Sequence, residues 1–396
     1  MIDPHNSTVE YLLKETATRV EKYASSGNES ARADALNQCL KLTRALEKPK
    51  DAVLKLSLSP VLFVAVKIGH NLGIFQILVK SGPATAKEMA AAQNADLALV
   101  DRILRTLASI GYVQERGAEL YAPSPLSYEL TQRATIGMMD SLFREWQPAI
   151  TRGPEFLQIT GYQNPEDPWA GPFQQAYETK DAVWEWLEKR PEELARFNPF
   201  MEGVRENRQH WVDWFPMQEQ VLNGSSGSYD QPLLIDLGGG RGHDIAYFAA
   251  RFPDVPGRLI LEDISPVIDD TQKLDPKIER FKHDLLTPQP IKGARVYYMK
   301  WVLHDWSDEK CRVILGHIAA AMKKGYSKLL IEEFVLPNTD AQLLPIMFDM
   351  MVMVAGPGME RTRSQWTKLL KSSGLEVKNF WVPNGDSSGF IEVELA

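Results

Sequence analysis

Between residues 232 and 336 the chain repeats one motif: a short apolar run, a helical stretch, then another apolar run. LLIDL (233–237), RLILED (258–263), VYYMKWVL (296–303) and KLLIEEFVL (328–336) have strand length and little polar alternation, the mark of strands buried on both faces. Such strands need cover above and below, and AYFAARF, EKCRVILGHIAAAM and, further on, SQWTKLLKSSG supply helices for it. The pattern predicts an α/β protein with a Rossmann-like, doubly wound parallel sheet.

The first of these runs continues into LLIDLGGGRGHD (233–244), where Asp236 is followed by Gly238, Gly240 and Gly242. In a doubly wound sheet, ligands lie beyond the carboxyl ends of the strands, and glycine lets the backbone of the first turn approach them closely. The spacing is one residue tighter than the G-x-G-x-x-G of dinucleotide pyrophosphate sites. RLILED ends in Glu262 and Asp263, where an acid can accept ribose hydroxyls, and FKHDLL places Asp284 and Leu285 at the next strand end, suited to an adenine amino group and ring face.

Upstream, residues 8–48 read as two amphipathic helices, and 57–78 as an apolar helix that is either deep core or a subunit contact. Residues 83–128 follow helix, turn, helix and a short hairpin, a winged-helix pattern. Its second helix offers only Arg102 and Arg105, and the net charge of -8 argues against nucleic acid or an anionic membrane as partner. Tryptophans 146, 169, 184, 186, 211 and 214 crowd residues 135–222, and NGSSGSYDQP (223–232) reads as a linker. The expected organisation is a helical and winged-helix domain at 1–130, a helical connecting and substrate-pocket segment at 131–225, and the Rossmann-like domain at 226–396. Two cysteines, no signal-peptide pattern and no apolar run nearing the length of a membrane span point to the cytoplasm.

YYMKWVLHDWSDEKC (297–311) is the most specific stretch of the chain. It resembles the LKWILHDWSDEEC block of plant and fungal small-molecule O-methyltransferases of class I, and LLIDLGGGRGHD, LEDISPVI, FKHDLLTPQP and ERT (360–362) extend the likeness along the sequence. The resemblance implies an S-adenosylmethionine cofactor near Asp236, Gly238, Gly240, Asp263, Asp284, Leu285 and Lys300. It further implies His304 as general base oriented by Glu333 and Glu360, and a homodimer formed through the N-terminal region.

The chemistry agrees with the residue types. A sulfonium methyl is already electrophilic, so the protein must mainly align an oxygen and remove its proton. A histidine held by carboxylates suits that task. Asp305 and Ser307 compete as N-cap of the helix beginning at SDEKC, and Asp305 is read as structural. His70, His243, His283 and His317 are read as structural, second-layer or surface residues. No group has metal-ligand spacing in the sequence, so no metal is expected. A small-molecule substrate is expected beside Phe143, Trp146, Phe173, Met347, Met350 and Met351, with Met353 in the same run. Some fungal members of the family resemble a second activity, dehydration and pericyclic ring closure with the cofactor as a fixed cation. The leporin-type member carries arginine at the histidine position, so His304 favours methyl transfer over that alternative.

Overall fold

The computed structural model describes residues 4–206, 209–271, 274–383 and 388–396. They fall into two compact units, one of Met1–Glu15, Cys39–Pro148 and Trp184–Arg208, the other of Thr16–Gln38, Ala149–Val183 and Gln209–Ala396.

In the first unit, β1 (Ala84–Thr85), β2 (Val113–Gly117) and β3 (Leu120–Pro123) pair antiparallel in the order β1-β3-β2, with helices Ala86–Ala92 and Leu97–Ser109 between the first two. This is the expected winged helix. Thr85 closes a capping box with Glu88, and Asp96 caps the second helix through the Leu99 N–H. That helix buries Val100, Ile103, Leu104 and Leu107 at helical spacing against Phe75, Leu78 and Met89, each such side chain contributing about 1.5–3 kcal/mol.

The apolar segment read as one helix over 57–78 is two. Helix Pro49–Asn71 ends before Gly73, whose left-handed conformation (φ 64°) turns the chain into helix Ile74–Ser81. The first helix is not deep core: only Ala65, Val66, Lys67 and Gly69 are buried, whereas Val53, Leu54, Leu56, Leu58 and Val61 are exposed on the single chain. At 23 residues, with a mean hydropathy of 1.8 over its most apolar window, it is also long and apolar enough to cross a membrane by length and composition. That corrects the expectation that no apolar run nears this length.

In the second unit, β4 (Pro232–Leu237), β5 (Arg258–Asp263), β6 (Ile278–Lys282), β7 (Val296–Lys300) and β8 (Lys328–Leu336) are parallel. β9 (Arg361–Thr362) pairs with the end of β8, while β10 (Leu375–Trp381) and β11 (Ser388–Leu395) close one edge antiparallel, giving the order β10-β11-β8-β7-β4-β5-β6. The Rossmann-like sheet is as expected; the two antiparallel strands are an addition to the parallel reading. The order in which successive strands are added reverses between β4 and β7, with β5 and β6 on one side and β7 and β8 on the other, and the crevice at that switch is where such sheets bind ligands. The glycine turn leaves the end of β4 and the HDW turn leaves the end of β7.

Candidate active site

The glycine turn is packed from below. A Cβ on Gly239 would sit 2.5 Å from the Asp236 carboxyl carbon and 2.5 Å from Leu261, and one on Gly238 would meet Val302 at 3.0 Å. Gly240 (φ 61°) has nothing within 4 Å of that position, so its outer side is open to a ligand. Asp236 is therefore buried beneath the turn rather than facing out of it. The Gly238 N–H and, at longer range, the Gly239 N–H donate to the Glu262 carbonyl at 2.8 and 3.3 Å, tying the turn to β5.

Asp263 stands beside this turn and accepts from the Gly240 N–H at 2.8 Å and the Ile264 N–H at 2.7 Å. Burial raises its carboxyl above the usual range, while those two donors pull it back. Glu262 points the other way, as strand alternation requires, and its carboxylate meets His283 at 3.0 Å and Gln289 at 2.8 Å. Asp284 is exposed and spends Oδ1 on the Leu286 N–H at 2.9 Å; Leu285 lies next to Gly238. Lys300 sits between Asp244 (3.1 Å) and Glu332 (3.3 Å), two acids that sequence reading missed. Asp244 was in view as the last residue of LLIDLGGGRGHD, but its pairing depends on β7 lying beside β4.

These residues fit an adenosyl cofactor: an open glycine turn, Asp263 and Asp284 for hydroxyl and amino donors, and Leu285 as an apolar face. Asp263→Ala is expected to weaken S-adenosylhomocysteine binding by about 10- to 100-fold, the worth of hydrogen bonds to a charged acceptor, measured by calorimetry. Unchanged affinity would remove the ribose assignment.

At the end of β7 the chain does not continue as strand to residue 303. Trp301 adopts φ 50°, unusual for a bulky residue, and Leu303–Asp305 form one turn of 3-10 helix. Glu333, next to Glu332 on β8, faces this turn because adjacent strand residues point to opposite faces. Its Oε1 accepts the N–H groups of Val302, Leu303 and His304 at 3.1, 3.0 and 3.3 Å. Glu360 Oε1 lies 2.7 Å from His304 Nδ1, and Glu333 Oε2 lies 3.7 Å from the same nitrogen. Both carboxylates are fully buried.

The surroundings set the charge. Burial by itself lowers His304, but Glu333, Asp305 and Glu360 together outweigh it and hold the imidazole well above its ordinary value. Burial pushes Glu333 up to about 7, with His304 drawing it back and Glu360 and Asp305 adding to the rise. One donor each from His304, Glu333 and Glu360 also lie within 4.8 Å of one another, a spacing open to a cation that sequence spacing did not reveal. The Nδ1 contact is at hydrogen-bond length.

Arg361 holds the turn from behind. Fully buried, it donates to the carbonyls of Leu303 (3.1 Å) and Trp306 (2.9 Å) and to Asp308 (2.9 Å), and lies over the Trp366 ring. It follows Glu360 in the ERT run, yet nothing in composition marks an arginine as buried. Gly358 allows the close approach, since a Cβ there would stand 2.7 Å from the His304 carbonyl. Ser307, not Asp305, caps helix Asp308–Ala321.

The expected pocket residues are distributed over both units. Phe143 and Trp146 belong to the first, where a π-helical turn (Leu142–Trp146) sets Phe143 edge-on to Phe63 and Trp146 against Phe197. In the second, Phe173 is buried against Tyr177, Met351 is half-buried, and Met347 and Met350 are exposed on helix Leu343–Ala355. Trp211 is sheet core, stacked on Tyr298 and Phe248. A cavity of about 450 Å³ in the same unit, lined by Phe156, Ile159, Gly171 and Gln174 among others, contains none of the expected site residues.

A doubly wound sheet with an open glycine turn after its first strand and a carboxylate-held histidine after its fourth defines a class I methyltransferase fold. Residues 165–376 match the O-methyltransferase domain and residues 51–133 the O-methyltransferase dimerisation domain. A methyltransferase from Aspergillus candidus, cfoC, is 37% identical over 99% of both chains. LepI in complex with S-adenosylmethionine has a TM-score of 0.86 at 28% identity, covering 99% of this chain and 100% of LepI. A pericyclic reaction enzyme follows at 0.85 and 28%, covering 96% of this chain and 98% of that one. The chain belongs to the O-methyltransferase family, and its cofactor is S-adenosylmethionine.

Proposed function

We propose that the protein methylates a hydroxyl of a small aromatic or polyketide-type metabolite, with His304 as general base. The observation that carries this is the 2.7 Å contact between His304 Nδ1 and Glu360, which gives the ring an Nδ1–H tautomer and leaves Nε2 to accept a proton. Asp263, Asp284 and Leu285 hold the adenosyl part, with the Gly238–Gly240 backbone and Lys300 nearby; Asp236 supports the turn from beneath. When bound, S-adenosylmethionine supplies an electrophilic methyl group. His304 orients the substrate hydroxyl and takes its proton as the oxygen attacks. Glu360 and Glu333 stabilise the imidazolium that results, Glu333 also fixing the backbone that presents it. Helix Pro49–Asn71, all but its first two residues within the dimerisation match, covers its apolar face with a second copy, and the enzyme acts in the cytosol. Residues 130 and 225 are the proposed domain limits.

A base must be empty to accept a proton. Because His304 is held above its ordinary value, the rate is expected to rise with pH through a midpoint above 6.5. Glu360→Gln removes one of the charges raising it, so that midpoint moves to lower pH while the plateau rate falls. A pH–rate profile of both proteins checks this; a limb that stays in place would separate Glu360 from the base.

Methyl-labelled S-adenosylmethionine, incubated with the enzyme and fractionated metabolites of the source organism, tests the function itself. Label entering a hydroxylated metabolite supports methyl transfer. The likeness to a pericyclic reaction enzyme favours one second reading. A metabolite that loses water or isomerises only when the cofactor is present, and gains no label, selects that activity.

A further inference from the structure

We propose that Asp305 carries the proton away from His304 after each turnover. The inference rests on His304 being the base, and it starts from the difference between the two sides of the ring. On the Nδ1 side, Glu360 and Glu333 are fully buried. On the Nε2 side stands Asp305 Oδ1, 3.5 Å away, on a side chain that is 30% exposed where that of His304 is 13% exposed. Asp305 is not needed as a helix cap, because Ser307 takes the Lys310 N–H. Among the described residues, His304 is the only ion-pair partner of Asp305.

A protonated His304 cannot start another cycle until Nε2 is empty. It is also slow to empty: Glu333 from β8, Glu360 from the segment before β9 and Asp305 from its own turn all favour the charged ring. Asp349, on helix Leu343–Ala355, accepts the Glu360 N–H at 2.8 Å and adds negative charge behind it. Arg361 is a cation packed on this turn, and its guanidinium is committed to Leu303, Trp306 and Asp308. A proton passed inward to Glu360 or Glu333 would stop on a buried carboxyl. Passed outward, the Nε2–H bond breaks, its electron pair returns to the ring, the proton bonds to Asp305 Oδ1, and water then removes it. Burial raises the Asp305 carboxyl above its usual range, which brings its proton affinity nearer to that of the ring it must unload.

Asp305→Asn keeps the shape and removes the acceptor. On the enzyme labelled with 13C/15N-histidine and saturated with S-adenosylhomocysteine, exchange of the His304 Nε2 proton with water is expected to slow by about 10-fold or more, and to recover with added formate or imidazole buffer. With an acceptor found in the labelled-cofactor screen, the variant is expected to complete its first turnover about 10-fold or more faster than later ones, giving a burst, while Asp305→Glu restores steady turnover. Unchanged proton exchange, or a loss confined to the first turnover, overturns the proposal. If His304→Gln is inactive while Asp305→Asn cycles normally, the exit route alone is wrong. If His304→Gln still transfers methyl, the base assignment falls and the exit route with it.

Discussion

His304→Gln is expected to lower methyl transfer by about 10²- to 10⁴-fold, the usual worth of a general base, while S-adenosylhomocysteine affinity stays within about twofold. Glutamine fills much of the ring's volume and can still hydrogen-bond a substrate hydroxyl, but it cannot take the proton. Glu333 keeps its three backbone donors in the variant, so the turn has its main anchor without the imidazole. The proposed cofactor residues Gly238, Gly240 and Asp284 lie on the turns after β4 and β6 and Asp263 at the end of β5, and the His304 side chain pairs with Glu360, Glu333 and Asp305 instead. Single-turnover transfer of labelled methyl and calorimetric titration measure the two quantities separately. Loss of both would make His304 a structural residue; loss of neither would move the base elsewhere.

The features that were legible in the sequence share one property, locality. Apolar runs without alternation announced the parallel strands, and the glycine spacing announced a turn that backbone must approach. The winged helix was visible because its helix Leu97–Ser109 carries an unbroken apolar stripe with Asp96 at its start. What stayed hidden depends on pairing across the fold. β10 and β11 mix charged with apolar residues, as an antiparallel edge does, and so escaped a search for continuous apolar strands. The break at Gly73 was masked because both flanking helices are apolar. For the site, the histidine and its two acids were named from a motif, but their roles as caps, ties and counter-charges were not. Asp236 reads as a ligand contact and is packed under Gly239; Asp305 reads as a structural residue, one of two candidate helix caps, and stands at Nε2. Lys300 reads as a position beside the cofactor and is enclosed by Asp244 and Glu332. Each difference is set by which strand lies beside which, and spacing along one chain does not carry that.

Arg361→Met is expected to be the most destabilising single change near the site. The guanidinium is fully buried, and its five donors are divided among the Leu303, Met359 and Trp306 carbonyls and Asp308, with Cys311 Sγ at 3.6 Å. Methionine packs against Trp366 but donates nothing, so the Leu303 and Trp306 carbonyls lose their charged donor and keep only the Trp306 N–H on Leu303 (3.3 Å) and the weakly donating Cys311 thiol, while Asp308, half-exposed, turns to water. At about 1.5–3 kcal/mol for each of the two charge-assisted hydrogen bonds lost, partly offset by the donors that remain, the loss is about 2–5 kcal/mol, read as a lower urea midpoint at unchanged slope. Activity should fall further than stability alone explains. Leu303 and Trp306 bracket His304 and Asp305, so releasing their carbonyls lets the 3-10 turn shift, and displacement of a catalytic group by about 1 Å can cost about 10²-fold. Arg361→Lys separates the two effects: the ammonium keeps the charge near Asp308 but cannot reach both carbonyls as a fork does, so it should recover part of the stability and little of the rate. A methionine variant with the parent's midpoint and turnover would mean that Glu333 alone holds the turn in place.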